Sequence, residues 1–165
     1  MAGTPGVKPA VKAVTYRNTG TYSSPTWTPI TAIRDVNLGR AWELADAFSR
    51  VSRVKMYGAT LMEMAVSMKV RCDDVDAGYL ALDAVAVSAA VLELLILDGP
   101  LTAEGAKGVR AFWQVSDTGQ DQAIEGNLFK EYEVKPGYGY NSGTLVTPKA
   151  VVVGASSALT ETDPG

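Results

Sequence analysis

The clearest pattern of apolar and polar positions lies in Thr60–Arg71, T-L-M-E-M-A-V-S-M-K-V-R. Met62, Met64, Val66, Met68 and Val70 fall at every second position, with Glu63, Ala65, Ser67, Lys69 and Arg71 between them. Period two makes a β-strand with one apolar face and one polar or small face. A helix would scatter the same apolar residues around its axis. Each of these side chains, fully buried, stabilises a fold by about 1.5–3 kcal/mol, which makes this strand the expected spine of a sheet. Its methionines suit either an irregular core or a surface that repacks on assembly.

Weaker versions of the same signal flank it. Ala13–Arg17 alternates and predicts a first strand, closed by the turn residues Asn18-Thr19-Gly20. Thr26–Val36 predicts one or two strands, and Pro29, which cannot donate to a ladder, confines its surroundings to an edge, a bulge or a strand start. Val91–Leu97, V-L-E-L-L-I-L, is nearly continuous in apolar residues and ends in Asp98-Gly99-Pro100, the pattern of a short buried strand. Val109–Ser116 alternates, as does Ile124–Val134 apart from Lys130, a cation at an inward position. Leu145–Val153 predicts a last strand, with Pro148 again pointing to an edge. Between spine and buried strand, Val75, Tyr79, Leu82 and Val85–Ala86 follow helical spacing and predict a helix over Val75–Val87. Asp73 or Asp74 would be its N-cap, and Asp76 would sit in its first turn.

The fold class is therefore mostly β (α+β): a β-sandwich or partial barrel of about seven to eight strands with one flanking α-helix. A single domain is expected over residues 13–153, between a flexible N-terminal arm (1–12) and a flexible C-terminal tail (154–165). Residues 37–58 keep neither period for long. A short amphipathic helix at 42–55 and a long hairpin fit equally, and a loop of this length in a compact domain is usually functional or disordered. With Arg40, Arg50, Arg53 and Lys55 it is also the most basic part of the chain.

Composition changes the picture mainly by exclusion. At 165 residues, 47% hydrophobic and 20% charged, the chain is long enough for a real core. It contains no histidine and one cysteine, Cys72. That removes the commonest general base, the usual zinc ligand, any internal disulfide and any cysteine metal cluster. The start, M-A-G-T-P-G-V-K-P-A, shows no apolar core of a secretory signal, and synthesis in a reducing cytoplasm is expected. The longest apolar run, Ala84–Leu97, is broken by Ser88 and Glu93 and is too short to span a bilayer, so no membrane partner is expected. G-Y-G-Y-N-S-G at 137–143 fails the dinucleotide fingerprint at Ser142 and reads as a loop between strands. Asp73, Asp74 and Asp76 lack the further ligands of a calcium loop. Glu131 and Glu133 share a strand face, but no second group completes an acid–base pair. No catalytic residue, cofactor or metal site is expected, and the chain does not read as an enzyme.

Charge is unevenly spread. Residues 1–72 carry ten Lys/Arg and four Asp/Glu, and residues 73–165 carry five and fourteen. Two readings stay open: a polar subunit whose basic side meets the acidic side of the next copy, or two halves that interleave in one fold.

The order of several short motifs resembles a known family. I-R-D-V (Ile33–Val36), Ala45-Asp46, Arg50 and the corner Tyr57-Gly58 lead into the alternating strand. Asp76-Ala77-Gly78-Tyr79 opens the helix, followed by I-L-D-G (Ile96–Gly99) and G-V-R-A-F (Gly108–Phe112). Over residues 14–136 this succession is similar to the tail tube (major tail) proteins of tailed bacteriophages, prophages and gene-transfer particles. The resemblance implies a β-sandwich with a flanking helix, homohexameric rings that stack into a hollow tube, and DNA passing through the lumen without sequence-specific binding. It further implies other tail proteins as partners (tape measure, tail terminator, distal tail) and a place in the virion tail, assembled in the host bacterial cytoplasm. Alternatives are an inner-tube subunit of a contractile injection system and a tail-completion or connector ring that does not polymerise. Within that family a long loop reaches the adjacent ring. The segment 37–58 is its expected counterpart here, with Arg40, Trp42, Phe48, Arg50, Arg53, Lys55 and Tyr57 as candidate interface residues, since aromatics and Arg dominate such contacts. The polar face of the spine lines either the lumen or a sheet–helix surface. A DNA conduit should not grip phosphates, so a neutral to acidic lumen is expected, drawn mainly from residues after 72 and without unpaired Lys69 or Arg71.

Overall fold

The computed structural model describes residues 13–47, 56–122 and 127–163. Along the chain these form β1 (Val14–Asn18), β2 (Trp27–Pro29), β3 (Ile33–Ala47), β4 (Met56–Arg71), α1 (Ala77–Ser88) and β5 (Val91–Leu97). There follow β6 (Lys107–Gln122), β7 (Leu128–Pro136), β8 (Gly139–Asn141), β9 (Thr144–Val146), β10 (Lys149–Val153), a 3-10 turn at Ala155–Ser157 and β11 (Leu159–Thr162). The fold is mostly β with a flanking helix, as the alternation predicts. It has more strands than expected because β8, β9 and β11 are too short to show a period.

One antiparallel sheet runs β2-β1-β5-β6-β7-β4-β3, and β6 also pairs with β10, which carries β11. The long strand β6 makes the branch. Its first residues pair with β10 (Lys107–Arg110) and its later ones with β7 (Trp113–Gln122), while β5 lines its other side from Gly108 to Gln114. Pro29 lies in β2, at a sheet edge, where its missing N–H costs no ladder bond.

The spine behaves as its period demands: Met64, Val66, Met68 and Val70 are buried, and Glu63 and Ser67 are exposed. They join Leu94, Ile96, Val109, Ala111, Trp113, Val115, Tyr132 and Val134 in the main core, which Tyr79 and Leu82 of α1 cap. A second cluster, Tyr16, Leu95, Leu97, Ala106, Val151 and Val153, lies on the opposite face of β5. β5 is thus buried on both faces, which is why its sequence is apolar without alternation.

Helix α1 begins two residues later than the spacing predicts. Asp76 is the N-cap, its Oδ1 accepting the Tyr79 N–H at 2.9 Å and its Oδ2 the Thr31 hydroxyl at 2.6 Å. Burial works against its charge, but these bonds hold its pKa below the usual carboxylate range. Asp73 serves the preceding turn, accepting from the Val75 N–H and from Arg71. Val75 lies outside the helix and is 90% exposed.

Two expected boundaries are corrected. Residues 154–165 are not a free tail up to Asp163: β11 pairs with β10, and Glu161 reaches Arg110. The last strand expected at Leu145–Val153 is two, interrupted at Thr147-Pro148, with β9 turned back on β8.

Candidate functional site

The segment 37–58, expected as an irregular loop, is instead built on paired strands as far as the structure describes it. β3 and β4 run antiparallel from Ile33↔Val70 to Ala47↔Met56, the hairpin alternative. The register shifts between Ile33 and Asp35 and again between Trp42 and Leu44. The first shift adds a residue to β3 before Asp35 and the second adds one to β4 between Ala59 and Met62; between them the pairing is unbroken, and Arg40 is the residue that interrupts the apolar series Val36, Leu38, Trp42, Leu44. Arg40 and Trp42 lie in β3, opposite Met64 and Met62, and Tyr57 lies in β4 opposite Asp46. Phe48, Arg50, Arg53 and Lys55 fall outside the described residues.

Strands β3, β4, β7 and the later half of β6 form a four-stranded unit with two open sides. β3 ends the sheet and pairs only with β4. Beyond Gln114, β6 pairs only with β7 among the described strands. Each side therefore presents backbone N–H and C=O groups that can pair with another strand.

The outward face of this unit carries charges of both signs. Asp35 and Lys69 are register partners, as are Lys69 and Glu131, and Ser67 and Glu133. Lys135 bridges Glu63 at 3.3 Å and Glu133 at 3.6 Å, and Arg71 bridges Asp73 at 2.7 Å. Lys69 sits 5.5 Å from the centre of the Phe129 ring. The face draws on both halves of the chain, because the two halves interleave in the sheet order.

On the inward side, Lys130, the exception to the alternation of β7, meets Asp83 of α1 at 2.6 Å, and the Tyr132 hydroxyl donates to the same carboxylate oxygen at 3.0 Å. The Lys130 hydrogen bond holds the Asp83 pKa below its ordinary value and raises that of Lys130. These contacts fasten the helix to the sheet.

Sequence reasoning missed a second polar knot. Arg110 is buried and donates to Glu93 at 2.7 Å, Glu161 at 2.5 Å and the Tyr22 carbonyl at 2.6 Å. Its guanidinium lies over the Tyr22 ring, 4.1 Å from the centre. Glu93 also accepts from Asn18 at 2.7 Å. The knot joins β1, the β1–β2 turn, β5, β6 and β11. The one local hint was a carboxylate, Glu93, in an otherwise apolar run. Among the described residues no group of His, Cys, Asp and Glu is placed to hold a metal, and no helix is long and apolar enough to cross a membrane.

No protein-family profile matches the sequence, and no curated sequence matches it significantly. Solved structures do. The chain is similar to a protein in the tail of an empty gene transfer agent particle, refined with helical and C6 symmetry, at TM-score 0.59 and 14% identity, covering 81% of this chain and 92% of that one. It is similar to the SPP1 tail tube at TM-score 0.60 and 8% identity, covering 84% and 76%. A chain of the anti-feeding prophage baseplate matches at TM-score 0.50 and 13% identity, covering 94% and 99%. The fold is therefore that of tail tube proteins, as the order of motifs implies.

Proposed function

We propose that this chain is a structural subunit of a virion tail, and that copies of it form rings that stack into a hollow tube through which DNA passes. The observation that carries this reading is the pair of open edges. The β3 edge of one copy and the later β6 edge of the next can pair, which continues one sheet from subunit to subunit in a head-to-tail contact that closes a ring. Six copies per ring would match the symmetry of the gene transfer agent tail. The outward face of β3-β4-β7 then becomes the lumen. Its Arg71 and Lys135 are engaged by carboxylates and its Lys69 lies in register between Asp35 and Glu131, so they offer phosphates little net attraction. The residues that connect β3 to β4, which include Phe48, Arg50, Arg53 and Lys55, are assigned the contact to the next ring. The role is structural, with no catalytic centre, cofactor or metal. Tape measure, tail terminator and distal tail proteins are the expected neighbours. The likeness to the anti-feeding prophage baseplate favours, as a second reading, an inner-tube role in a contractile system.

The test separates these classes. The purified chain is incubated at rising concentration with and without short duplex DNA, and its assemblies are measured by light scattering and microscopy. Concentration-dependent rings and tubes that need no DNA support the reading. A stable monomer that binds DNA with a steep salt dependence opposes it. A sheath protein that coats the tubes would move the assignment to a contractile system.

A further inference from the structure

Helix α1 closes the main core with one face and turns the other to solvent. Gly78, Tyr79 and Leu82 are buried, whereas Ala77, Leu80, Ala84 and Val87 are exposed, Leu80 by 46% and Val87 by 83%. These four positions form one stripe at helical spacing. The stripe carries no charge. Asp83 is the one charged residue of α1, and Lys130 and Tyr132 already engage it. A helix that is apolar on both faces is normally covered on both.

The place of α1 in the fold selects what covers it. Its C-cap, Ala89, takes a left-handed φ of 55° and turns the chain through Ala90 into β5. Val91, the first residue of β5, pairs with Gln114, and the Gln114 side chain donates to the Ala90 carbonyl at 3.3 Å. Gln114 is also the point at which the β6 edge opens. A strand that pairs with β6 beyond Gln114 continues the line of β5, so it arrives beside Ala90 and the last turn of α1, where Val87 stands. In the proposed ring that strand is β3 of the next copy.

The sides of the sheet agree. α1 packs on the core side, through Tyr79, Leu82 and the contact of Asp83 with Lys130. Val36 and Leu38 of β3 pack against the same core. Rotation about a ring axis keeps the core side of every copy away from the lumen. The helix of one copy and Val36 and Leu38 of the next therefore lie on the same side of the continued sheet. Both β3 residues are half-buried and line a groove of about 430 Å³, together with Ala13, Asp98, Lys107 and Val152 among others. They retain apolar surface that a neighbour can reach.

We propose that the last turn of α1, with Ala84 and Val87, packs against Val36 and Leu38 of the next copy in the ring. The proposal rests on the self-assembly reading and adds a layer of side-chain contact to its sheet-edge pairing. A charge-free apolar patch suits a permanent contact between copies, because obligate interfaces are more apolar than transient ones and exclude charge from their centres. Helix and strand are different surfaces, so each copy gives its α1 to one neighbour and its β3 to the other, as a head-to-tail ring requires.

The test uses the full chain as Val87→Lys and Val75→Lys variants, followed by size-exclusion chromatography with light scattering. Both sites are exposed, and a cation in the last turn complements the helix dipole, so each variant should keep wild-type circular dichroism and melting. Val75 precedes the N-cap and lies roughly 18 Å from the last turn, at 1.5 Å per residue. Val87→Lys should raise the concentration at which half the chains assemble at least tenfold, and Val75→Lys should leave it unchanged. A second measurement identifies the partner surface. Val87→Cys with Leu38→Cys in a Cys72→Ser background, treated with a short bis-maleimide after assembly, should give a ladder of linked chains. Either cysteine alone should give nothing longer than a dimer. Wild-type assembly by Val87→Lys, or no ladder from the folded double-cysteine chain, overturns the contact and leaves the tube reading intact. Equal losses in Val87→Lys and Val75→Lys make the effect one of added charge and overturn it as well. A wild-type chain that never assembles overturns both readings.

Discussion

Arg110 and Glu93 meet at 2.7 Å on adjacent strands β6 and β5, with both side chains less than a tenth exposed. A charge so placed is stable only while its partner remains. Arg110→Ala should therefore cost about 3–5 kcal/mol in urea unfolding, since it strands Glu93 without its counter-charge. Replacing both residues by apolar ones of similar volume should recover most of that loss. Equal losses in the single and double variants would show that the pair contributes only packing.

The α1 anchor sets a pH window. The folded pKa of Asp83 is depressed, chiefly by the Lys130 hydrogen bond, so its contribution is present above an unfolded value of about 3.9 and is lost as pH falls through the folded one. Lys130 is raised, chiefly by its hydrogen bond to Asp83, so its contribution is complete below about 10.4 and is lost as pH rises through the folded value. Burial pushes Tyr79 up to about 12 and raises Tyr132 as well, which adds to the alkaline loss. Stability should be flat between these limits. Asp83→Asn should flatten the acid limb, and Lys130→Met should soften the alkaline one, in denaturation followed across pH. An acid limb unchanged in Asp83→Asn would place the sensitive carboxylate elsewhere.

The two faces of β4 should respond oppositely to the same charge. Val66 is fully buried, and Val66→Asp should prevent folding. Ser67 next to it is exposed and stands opposite Glu133, so Ser67→Asp should cost only the roughly 0.2–1 kcal/mol of a cross-strand like-charge pair and leave the domain folded. A cooperative Val66→Asp domain would mean that the faces are reversed.

Gly108 is required by close approach. A Cβ there would lie 1.8 Å from the Ile96 carbonyl oxygen, so Gly108→Ala must force β5 from β6 and should cost about 3 kcal/mol. An unchanged melting temperature would contradict that spacing.

The β3–β4 pairing continues past Leu44↔Ala59 to Ala47↔Met56. Replacing 45–58 by a two-residue Asn-Gly turn should leave a cooperatively folded subunit that no longer forms long tubes. Tubes of normal length from this variant would refute the assignment of these residues to the inter-ring contact.

How much of this was legible in the sequence follows from where the signals reside. The spine, β5 and the first part of β6 were readable because burial acts on one or both faces of an unbroken strand, which leaves a period or a run. Residues 37–47 were not, because Arg40 interrupts the alternating series Val36, Leu38, Trp42, Leu44 and the shift at Trp42/Leu44 puts an extra residue in the partner strand β4. β11 was hidden for a different reason. L-T-E-T is short and polar, and what fixes it is Glu161 reaching Arg110, 51 residues away. Lys130 showed as an exception to its pattern, and an inward cation implies a buried or half-buried partner, but the sequence did not name Asp83. The open edges of β3 and β6 had no local signature, since they follow from strand order alone.

The most direct measurement is negative-stain microscopy of the purified chain at high concentration. Hollow tubes of stacked rings, present without any other protein or DNA, are the expected result. A uniform field of single chains, confirmed as monomers by light scattering at the same concentration, would contradict the assembly role.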